Sequence, residues 1–152
     1  LNVKDKNSLK SAIDLGIAMQ LTNISRDIVE DSKNKRFYIS HNFETIKETL
    51  KTADLFYKSC FSSIKNIPIG FRFSILVARR VYRKIGQNIL NKKSIENYNN
   101  SGKIYVTNIG KIIQTLLSFV DLLRLSLIKD KDHLRYKEHQ LINEEIDLNE
   151  RL

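Results

Sequence analysis

The sequence contains few residues of the kinds that interrupt helices or cross-link a chain. Its 152 residues include one Pro, five Gly and one Cys. The scarcity of Pro and Gly favours long helices joined by few tight turns. A single cysteine excludes an internal disulfide. Because Cys60 lies in the apolar run LFYKSCF, it is predicted to be a small core residue rather than a nucleophile.

The sequence also lacks an apolar run long enough to span a bilayer. The nearest candidate, residues 112–128, carries Asp121 and Arg124 near its middle. Its apolar residues recur at spacings of three and four, which predicts an amphipathic helix packed on the core. These residues are Ile109, Ile112, Ile113, Leu116, Leu117, Val120, Leu123 and Leu127.

Neither the histidines nor the basic excess indicates a zinc or nucleic-acid site. His41, His133 and His139 have no zinc-ligand spacing and are predicted to be surface residues. The net charge is +9, but no zinc finger, RNP-like string or compact basic cluster accompanies it. Residues 1–128 contain 21 Lys and Arg against 10 Asp and Glu, whereas residues 129–152 contain 5 against 7. We therefore expect a basic body, a charged tail and no nucleic-acid partner.

Four helices are predicted from the hydrophobic periods. They cover residues 8–31, 44–64, 68–90 and 107–128, with Ser8 as the N-cap of the first. Pro68 suits the first turn of the third helix, and a loop is expected near residues 99–102. The sequence shows no repeat and no segment with the period of a strand.

The first of these helices carries the most informative pattern, QLTNISRDIVEDSKNKRFY at residues 20–38. On a helix, Gln20, Asn23, Asp27 and Asp31 share an arc of roughly 80°. Two carboxylates one turn apart repel each other, so a cation is expected between them. Mg²⁺ suits this position because it takes oxygen ligands and is commonly held by one or two carboxylates together with substrate phosphates.

Basic residues follow the two aspartates directly. Arg26, Lys33, Lys35 and Arg36 are placed to bind the phosphate oxygens that a metal does not reach, arginine through its bidentate fork. The alternative is a solvated polar face on which these residues form surface ion pairs worth little. The spacing by itself leaves both interpretations open.

The longer string DLGIAMQLTNISRDIVEDSKNKRFY resembles the second aspartate-rich motif of the squalene and phytoene synthase family, GIA-QLTNI-RD--ED---GR-Y. The resemblance continues over about residues 8 to 120. Its later parts are Ala53, Tyr57, Ile67, Pro68, Ile75, Ala78, Tyr82, Ile85 and the segment NYNNSGKIYV at residues 97–106.

The resemblance implies a set of site residues. Asn23, Asp27 and Asp31 correspond to ligands of Mg²⁺, or alternatively Mn²⁺, and the two aspartates are then the catalytic residues. Gln20, Arg26 and Tyr98 correspond to residues that contact the isoprenoid diphosphate substrate. Arg36 matches the arginine of the family's Gly-Arg pair. Lys35 stands where the family has glycine, and Ser40 stands where it has proline.

The resemblance also implies an all-α fold, the C-terminal half of an isoprenoid-synthase-type bundle. The implied enzyme is a head-to-head prenyltransferase that condenses two geranylgeranyl diphosphates to phytoene through a cyclopropyl diphosphate. A squalene or hydroxysqualene synthase-like enzyme is the alternative, with NADPH only in the squalene type. A non-catalytic scaffold or assembly homologue is a second alternative, disfavoured because both aspartates are present.

Length sets the expected extent of the domain. Family members are about twice as long, so we expect the first half to precede Leu1, supplied in cis or in trans, and the chain alone to be inactive. Residues 1–128 are predicted to form the partial synthase domain and residues 129–152 a charged tail. The expected location is cytoplasmic, with peripheral contact at the inner face of the membrane as an alternative.

Overall fold

The computed structural model describes residues 6–128 and 136–140, and all regular structure in these ranges is helical. The helices are α1 (Lys6–Lys33), α2 (Phe43–Ser59), α3 (Ile69–Leu90), α4 (Ile95–Asn99) and α5 (Asn108–Leu127), with a short 3₁₀ helix (Ser62–Asn66) between α2 and α3. The predicted all-α fold class is confirmed. Within the described part, no helix has both the length and the apolar character that a membrane span requires.

Three of the helix starts follow from side-chain caps. Asn42 accepts a hydrogen bond from the Thr45 amide at 2.8 Å and begins α2. Ser94 and Thr107 do the same for α4 and α5. Each cap satisfies an amide that has no partner within its helix.

Two predicted boundaries are wrong. Ser8 is not an N-cap, because it lies inside α1, where its hydroxyl accepts a hydrogen bond from Asn66. The second helix ends at Ser59 rather than near residue 64, and the chain continues as the 3₁₀ helix. Ser59 donates to Phe56 O at 2.9 Å and also bonds to Asp14. This side-chain bond to the preceding turn offers the backbone an alternative to the helix ladder.

The largest apolar cluster lies where α1, α2, α3 and the α4–α5 connection meet. It consists of Ile28, Ile46, Leu50, Ile85, Ile89, Tyr98, Ile104 and Val106. The side of α1 that is most deeply buried is lined by small residues, among them Ala18, Thr22 and Ser25. Thr22 Oγ1 hydrogen-bonds to the Tyr57 hydroxyl of α2 at 3.1 Å. Small side chains let α1 and α2 approach closely, so this packing holds the motif helix in place.

The predicted orientation of α5 is wrong. Its eight predicted core residues are 39% to 84% exposed, whereas Ser118, Asp121 and Leu125 face inward. Asp121 forms a bidentate ion pair with Arg80 of α3 at 2.6 and 2.8 Å. The pairing turns the polar side of α5 toward α3 and leaves its apolar side, which we call the outer face, exposed to solvent.

The histidines and the cysteine divide between surface and core. His41 is exposed, as predicted, and His133 lies outside the described residues. His139 is only 1% exposed and bonds to Asp14 at 2.9 Å, so its assignment to the surface is wrong. Cys60 is buried, which confirms the predicted core position, and burial raises the pKa of its thiol to about 11.

The structure describes only part of residues 129–152. The ranges 129–135 and 141–152 lie outside the described residues, so the predicted charged tail and its boundary stay predictions. Residues 136–140 are described, and His139 packs edge-on against Phe56 of α2 with ring centroids 4.8 Å apart. At this point the C-terminal region contacts the bundle.

Candidate functional site

The C-terminal half of α1 carries the predicted motif, and the Asp27 side chain in it is 17% exposed. Asp27 lines a cavity of about 260 Å³ together with Arg26, Lys103 and Tyr98, which we call the Asp27 pocket. The Arg26 fork donates to both carboxylate oxygens, at 2.9 and 2.6 Å. Lys103 Nζ lies 3.4 Å from Asp27 Oδ1 and 2.6 Å from Glu30 Oε2. Two cations therefore hold the Asp27 carboxylate.

These contacts determine the charge state of Asp27. Burial raises the pKa of its carboxyl, but the hydrogen bonds and charge of Arg26, aided by Lys103, outweigh burial and leave the pKa below its ordinary value. The hydrogen bond to Asp27 likewise raises the pKa of Arg26. Asp27 is thus an ionised oxygen donor at neutral pH, which is the state that a hard cation requires.

Asn23 supplies a test of whether a metal fits the site. Its Oδ1 atom is buried and has no hydrogen-bond partner among the described residues. An unsatisfied buried acceptor costs about 1–3 kcal/mol. Because this amide oxygen lies one turn before Asp27 on the same face of α1, it can offset that cost by binding a cation. The amide and carboxylate oxygens of Asn23, Asp27 and Asp31 are therefore donors of the type that Mg²⁺ prefers.

Asp31 lies one turn further along α1 and lines a different cavity. This cavity of about 460 Å³, the Asp31 pocket, is also lined by Ile28 and Arg36. The structure thus places Asp27 and Asp31 on different pockets and does not bring the two carboxylates together in one cavity. In the described part of the chain, no three carboxylate, histidine or cysteine side chains form a metal-binding group. A metal here would rely on two carboxylates, an amide oxygen and ligands from a substrate.

The turn after α1 positions Arg36. The amides of Lys35 and Arg36 donate to Ser32 O at 3.1 Å and Asp31 O at 2.9 Å, which is the Schellman arrangement of a helix C-terminus. Lys35 has a φ of +57°, a left-handed conformation that glycine adopts without strain. This geometry gives a physical reason for glycine at the matching position of the motif.

Tyr98 is buried, and its hydroxyl contacts the backbone of α1. It donates to Ser25 O at 3.0 Å and to Arg26 O at 2.9 Å. Burial raises the pKa of Tyr98 to about 12. The side chain fixes α4 beside the motif helix, while its predicted contact with substrate stays a prediction. Gln20 is exposed at the other end of the polar stripe.

Lys103 is the residue that sequence reasoning missed. It lies in the segment NYNNSGKIYV, where only Tyr98 had been assigned a contact. The sequence feature that could have indicated its role is a basic residue five positions after that tyrosine, directly before the alternating apolar residues Ile104 and Val106, both of which are buried. Those two anchors bring Lys103 to Asp27, whereas Lys33 and Lys35 are exposed.

Comparisons with known proteins agree with this motif. Residues 1–43 match the family model described as squalene/phytoene synthase. The chain is 31% identical over 111 residues to the 15-cis-phytoene synthase of Enterobacter agglomerans, covering 59% of this chain and 38% of that protein. It is 32% identical over 107 residues to the 15-cis-phytoene synthase of a Paracoccus species, covering 59% and 35%. No solved structure matches the chain.

The resemblance to the squalene/phytoene synthase family is confirmed by these matches. A plant protein is also similar, the chloroplastic phytoene synthase of an Oncidium hybrid cultivar, at 28% identity over 133 residues, covering 72% of this chain and 31% of that protein. The chain spans little more than a third of the length of the curated relatives that it matches.

Proposed function

We propose that this chain is the part of a head-to-head prenyltransferase that carries the second aspartate-rich motif. The proposed reaction condenses two geranylgeranyl diphosphates to phytoene through a cyclopropyl diphosphate, as in a phytoene synthase. Relatives named phytoene synthase support this assignment. The observation that carries it is the Asp27 pocket, in which an ionised carboxylate is held by two cations. One helical turn before Asp27, the buried amide oxygen of Asn23 has no hydrogen-bond partner among the described residues.

Mg²⁺ is the proposed cofactor, with Mn²⁺ as the alternative. Asn23, Asp27 and Asp31 would hold it. When bound, the ion supplies positive charge that stabilises the departing diphosphate. Because the rest of a synthase domain is not spanned by this chain, we propose that it is provided in cis or in trans and carries further ligands.

The basic side chains near the aspartates bind and orient the substrate in this proposal. Arg26 and Lys103 pair with Asp27 in the structure. If Asp27 held the metal, both groups would be free to bind diphosphate oxygens, Arg26 through its planar fork. Arg36 lines the Asp31 pocket and is placed for the same task.

Two alternative functions remain distinct from this one. A squalene or hydroxysqualene synthase-like enzyme would use the same motif, and the squalene type would need NADPH. Comparing products with and without NADPH separates these activities. A non-catalytic scaffold would have no use for the ionised Asp27 and the unsatisfied amide oxygen of Asn23 one turn before it, so these side chains favour an enzyme.

Metal binding by the chain itself is the direct test. Mn²⁺ titration followed by electron paramagnetic resonance is expected to show a site that weakens at least about tenfold in Asp27→Asn and in Asp31→Asn. Glu48→Gln, an exposed carboxylate of α2, is the matched control and should leave the site unchanged. Equal affinity in all four proteins contradicts the assignment of ligands.

Activity is tested in a chimera in which this chain replaces the matched segment of the Enterobacter agglomerans phytoene synthase. We expect Mg²⁺-dependent phytoene formation, reduced at least about a hundredfold by Asp27→Asn or Asp31→Asn. The 152-residue chain by itself should make no phytoene. Phytoene from the chain alone, or an active Asp27→Asn chimera, would refute the proposal.

A further inference from the structure

A second polar cavity lies in the groove between α3 and α5, apart from the aspartate motif. Its volume is about 260 Å³, and its lining is rich in cations. The cationic side chains are Arg79, Arg80, Arg83, Lys84 and Arg124, and the neutral polar ones are Gln87 and Gln114. No residue of this groove lines the Asp27 pocket or the Asp31 pocket.

Negative charge in the groove is scarce. Asp121 is the carboxylate of the lining, and both its oxygens accept hydrogen bonds from Arg80. Arg79 and Arg124 approach the same carboxylate only to 4.0 and 3.8 Å. Arg83 bonds to Asp54, which it shares with Lys58 on the far side. Cations therefore outnumber the carboxylates that neutralise them.

Arg79 is the most deeply placed of these cations, at 5% exposure. Its Nε donates to Tyr57 O at 2.8 Å, and its guanidinium carbon lies 4.7 Å from the centre of the Phe61 ring. Burial, reinforced by the charge of Arg83, lowers the pKa of Arg79. A guanidinium buried without a close carboxylate of its own is costly, and a bound anion would offset that cost.

We propose that the groove between α3 and α5 binds a small anion that carries a phosphate group. Guanidinium forks match phosphate oxygens in pairs, and the amides of Gln87 and Gln114 add neutral donors. The cavity is open to solvent and large enough for a phosphate group with its water. Inorganic phosphate and the headgroup of a phosphomonoester lipid present the same oxygens, so both sources are tested.

The test is a titration of the chain with inorganic phosphate, followed by nitrogen-edited NMR. Ionic strength is kept constant with chloride, and a chelator removes metal ions. We expect saturable shifts at the side-chain amides of Gln87 and Gln114. The double variant Lys84→Gln/Arg124→Gln should weaken binding at least about tenfold, because it removes two charges near the anion. Arg79 is left intact to preserve the fold.

The matched control is Lys92→Gln/Lys111→Gln, which removes the same net charge from a half-buried and an exposed position outside the groove. It should change affinity less than about twofold. Equal losses in the two double variants would show attraction by net charge only and overturn the proposal. The proposal would also be overturned if phosphate gave no saturable shifts and the chain did not bind vesicles that contain phosphatidic acid.

A second arm separates the two sources. Vesicles of phosphatidylcholine with and without phosphatidic acid are mixed with the chain and sedimented. Binding that requires phosphatidic acid and is lost in Lys84→Gln/Arg124→Gln identifies a lipid headgroup. Shifts with inorganic phosphate and no vesicle binding identify the free anion. Either result supports the proposal, and neither depends on the prenyltransferase assignment.

Discussion

At the scale of single residues, Lys103 and Arg26 compete with any metal for Asp27. Both cations lie within 3.4 Å of the carboxylate, so a divalent ion must displace at least one of them. Lys103 is the easier of the two to displace, because its ammonium is exposed and is shared with Glu30. If the proposed metal site exists, its affinity should therefore depend partly on Lys103, a residue outside the motif.

Lys103→Met is expected to tighten Mn²⁺ binding by the chain about three- to tenfold, since it removes a competing positive charge. Mn²⁺ titration measures the change. Lys33→Met is the control, because Lys33 lines the same pocket and is exposed. In the chimera, Lys103→Met should instead slow turnover, because the same cation is proposed to bind diphosphate. Unchanged or weaker Mn²⁺ binding would contradict the competition.

Lys35 adopts a strained backbone conformation that lowers the stability of the fold. Its φ of +57° is strained for a residue with a Cβ atom. Lys35→Gly removes this strain and should raise the free energy of unfolding by up to about 1 kcal/mol, after the entropy that glycine loses on folding. Urea unfolding measures the change. Lys35→Ala keeps the Cβ atom and should give no gain, so equal effects of the two substitutions would exclude backbone strain as the cause.

At the scale of secondary-structure elements, α5 shows what periodicity predicts and what it does not. Spacings of three and four gave the position of this helix to within one residue at each end. They identified an apolar side but not the direction in which it faces. That direction depends on Asp121, whose ion pair with Arg80 on another helix has no signature in the local sequence.

Two leucines on opposite sides of α5 test its orientation. Leu125 is buried with Ile64 and Leu76, whereas Leu123 is mostly exposed. Leu125→Ala should lower the free energy of unfolding by about 2–4 kcal/mol through loss of packing. Leu123→Ala should change it by less than about 0.5 kcal/mol. Urea unfolding measures both changes. A larger loss of free energy of unfolding in Leu123→Ala than in Leu125→Ala would contradict the orientation.

Two other residues, His139 and Lys103, could not be assigned correctly from the sequence because their polar partners lie far away along the chain. The helix that carries Asp27 and Asp31 was located by its local pattern, and so were the starts of α2 and α5. His139 was misassigned because its partner Asp14 lies 125 positions earlier in the chain. Lys103 was missed because its approach to Asp27 depends on the burial of Ile104 and Val106 in the core shared by several helices.

The contact between His139 and Asp14 is expected to stabilise the bundle. Asp14 is 1% exposed and accepts hydrogen bonds from His139 and Ser59. His139→Ala removes one of these donors from a buried carboxylate and should cost about 2–3 kcal/mol. His41→Ala is the control, because His41 is exposed and bonds to Asn99 at the surface. It should cost less than about 0.5 kcal/mol in thermal or urea unfolding.

At the scale of the whole molecule, the outer face of α5 and the length of the relatives lead to one expectation. The eight apolar residues of this face are 39% to 84% exposed, and large exposed apolar patches mark contact surfaces. The relatives have nearly two thirds of their length outside the matched segment. If the proposed function holds, part of that remaining domain is the natural cover for the outer face, and the same residue should behave differently in the two contexts.

Leu116 is the residue that distinguishes these contexts, because it lies on the outer face and is 61% exposed. In the 152-residue chain, Leu116→Glu should change the free energy of unfolding by less than about 0.5 kcal/mol. In the chimera, where we expect this side chain to be covered, an unpaired buried carboxylate should cost at least about 2 kcal/mol and reduce phytoene formation. Lys111→Glu, a charge change at an exposed position of the same helix, should be tolerated in both. A chimera that tolerates Leu116→Glu equally well would show that the outer face stays open in the larger domain, and that α5 does not contact the remainder of the synthase through it.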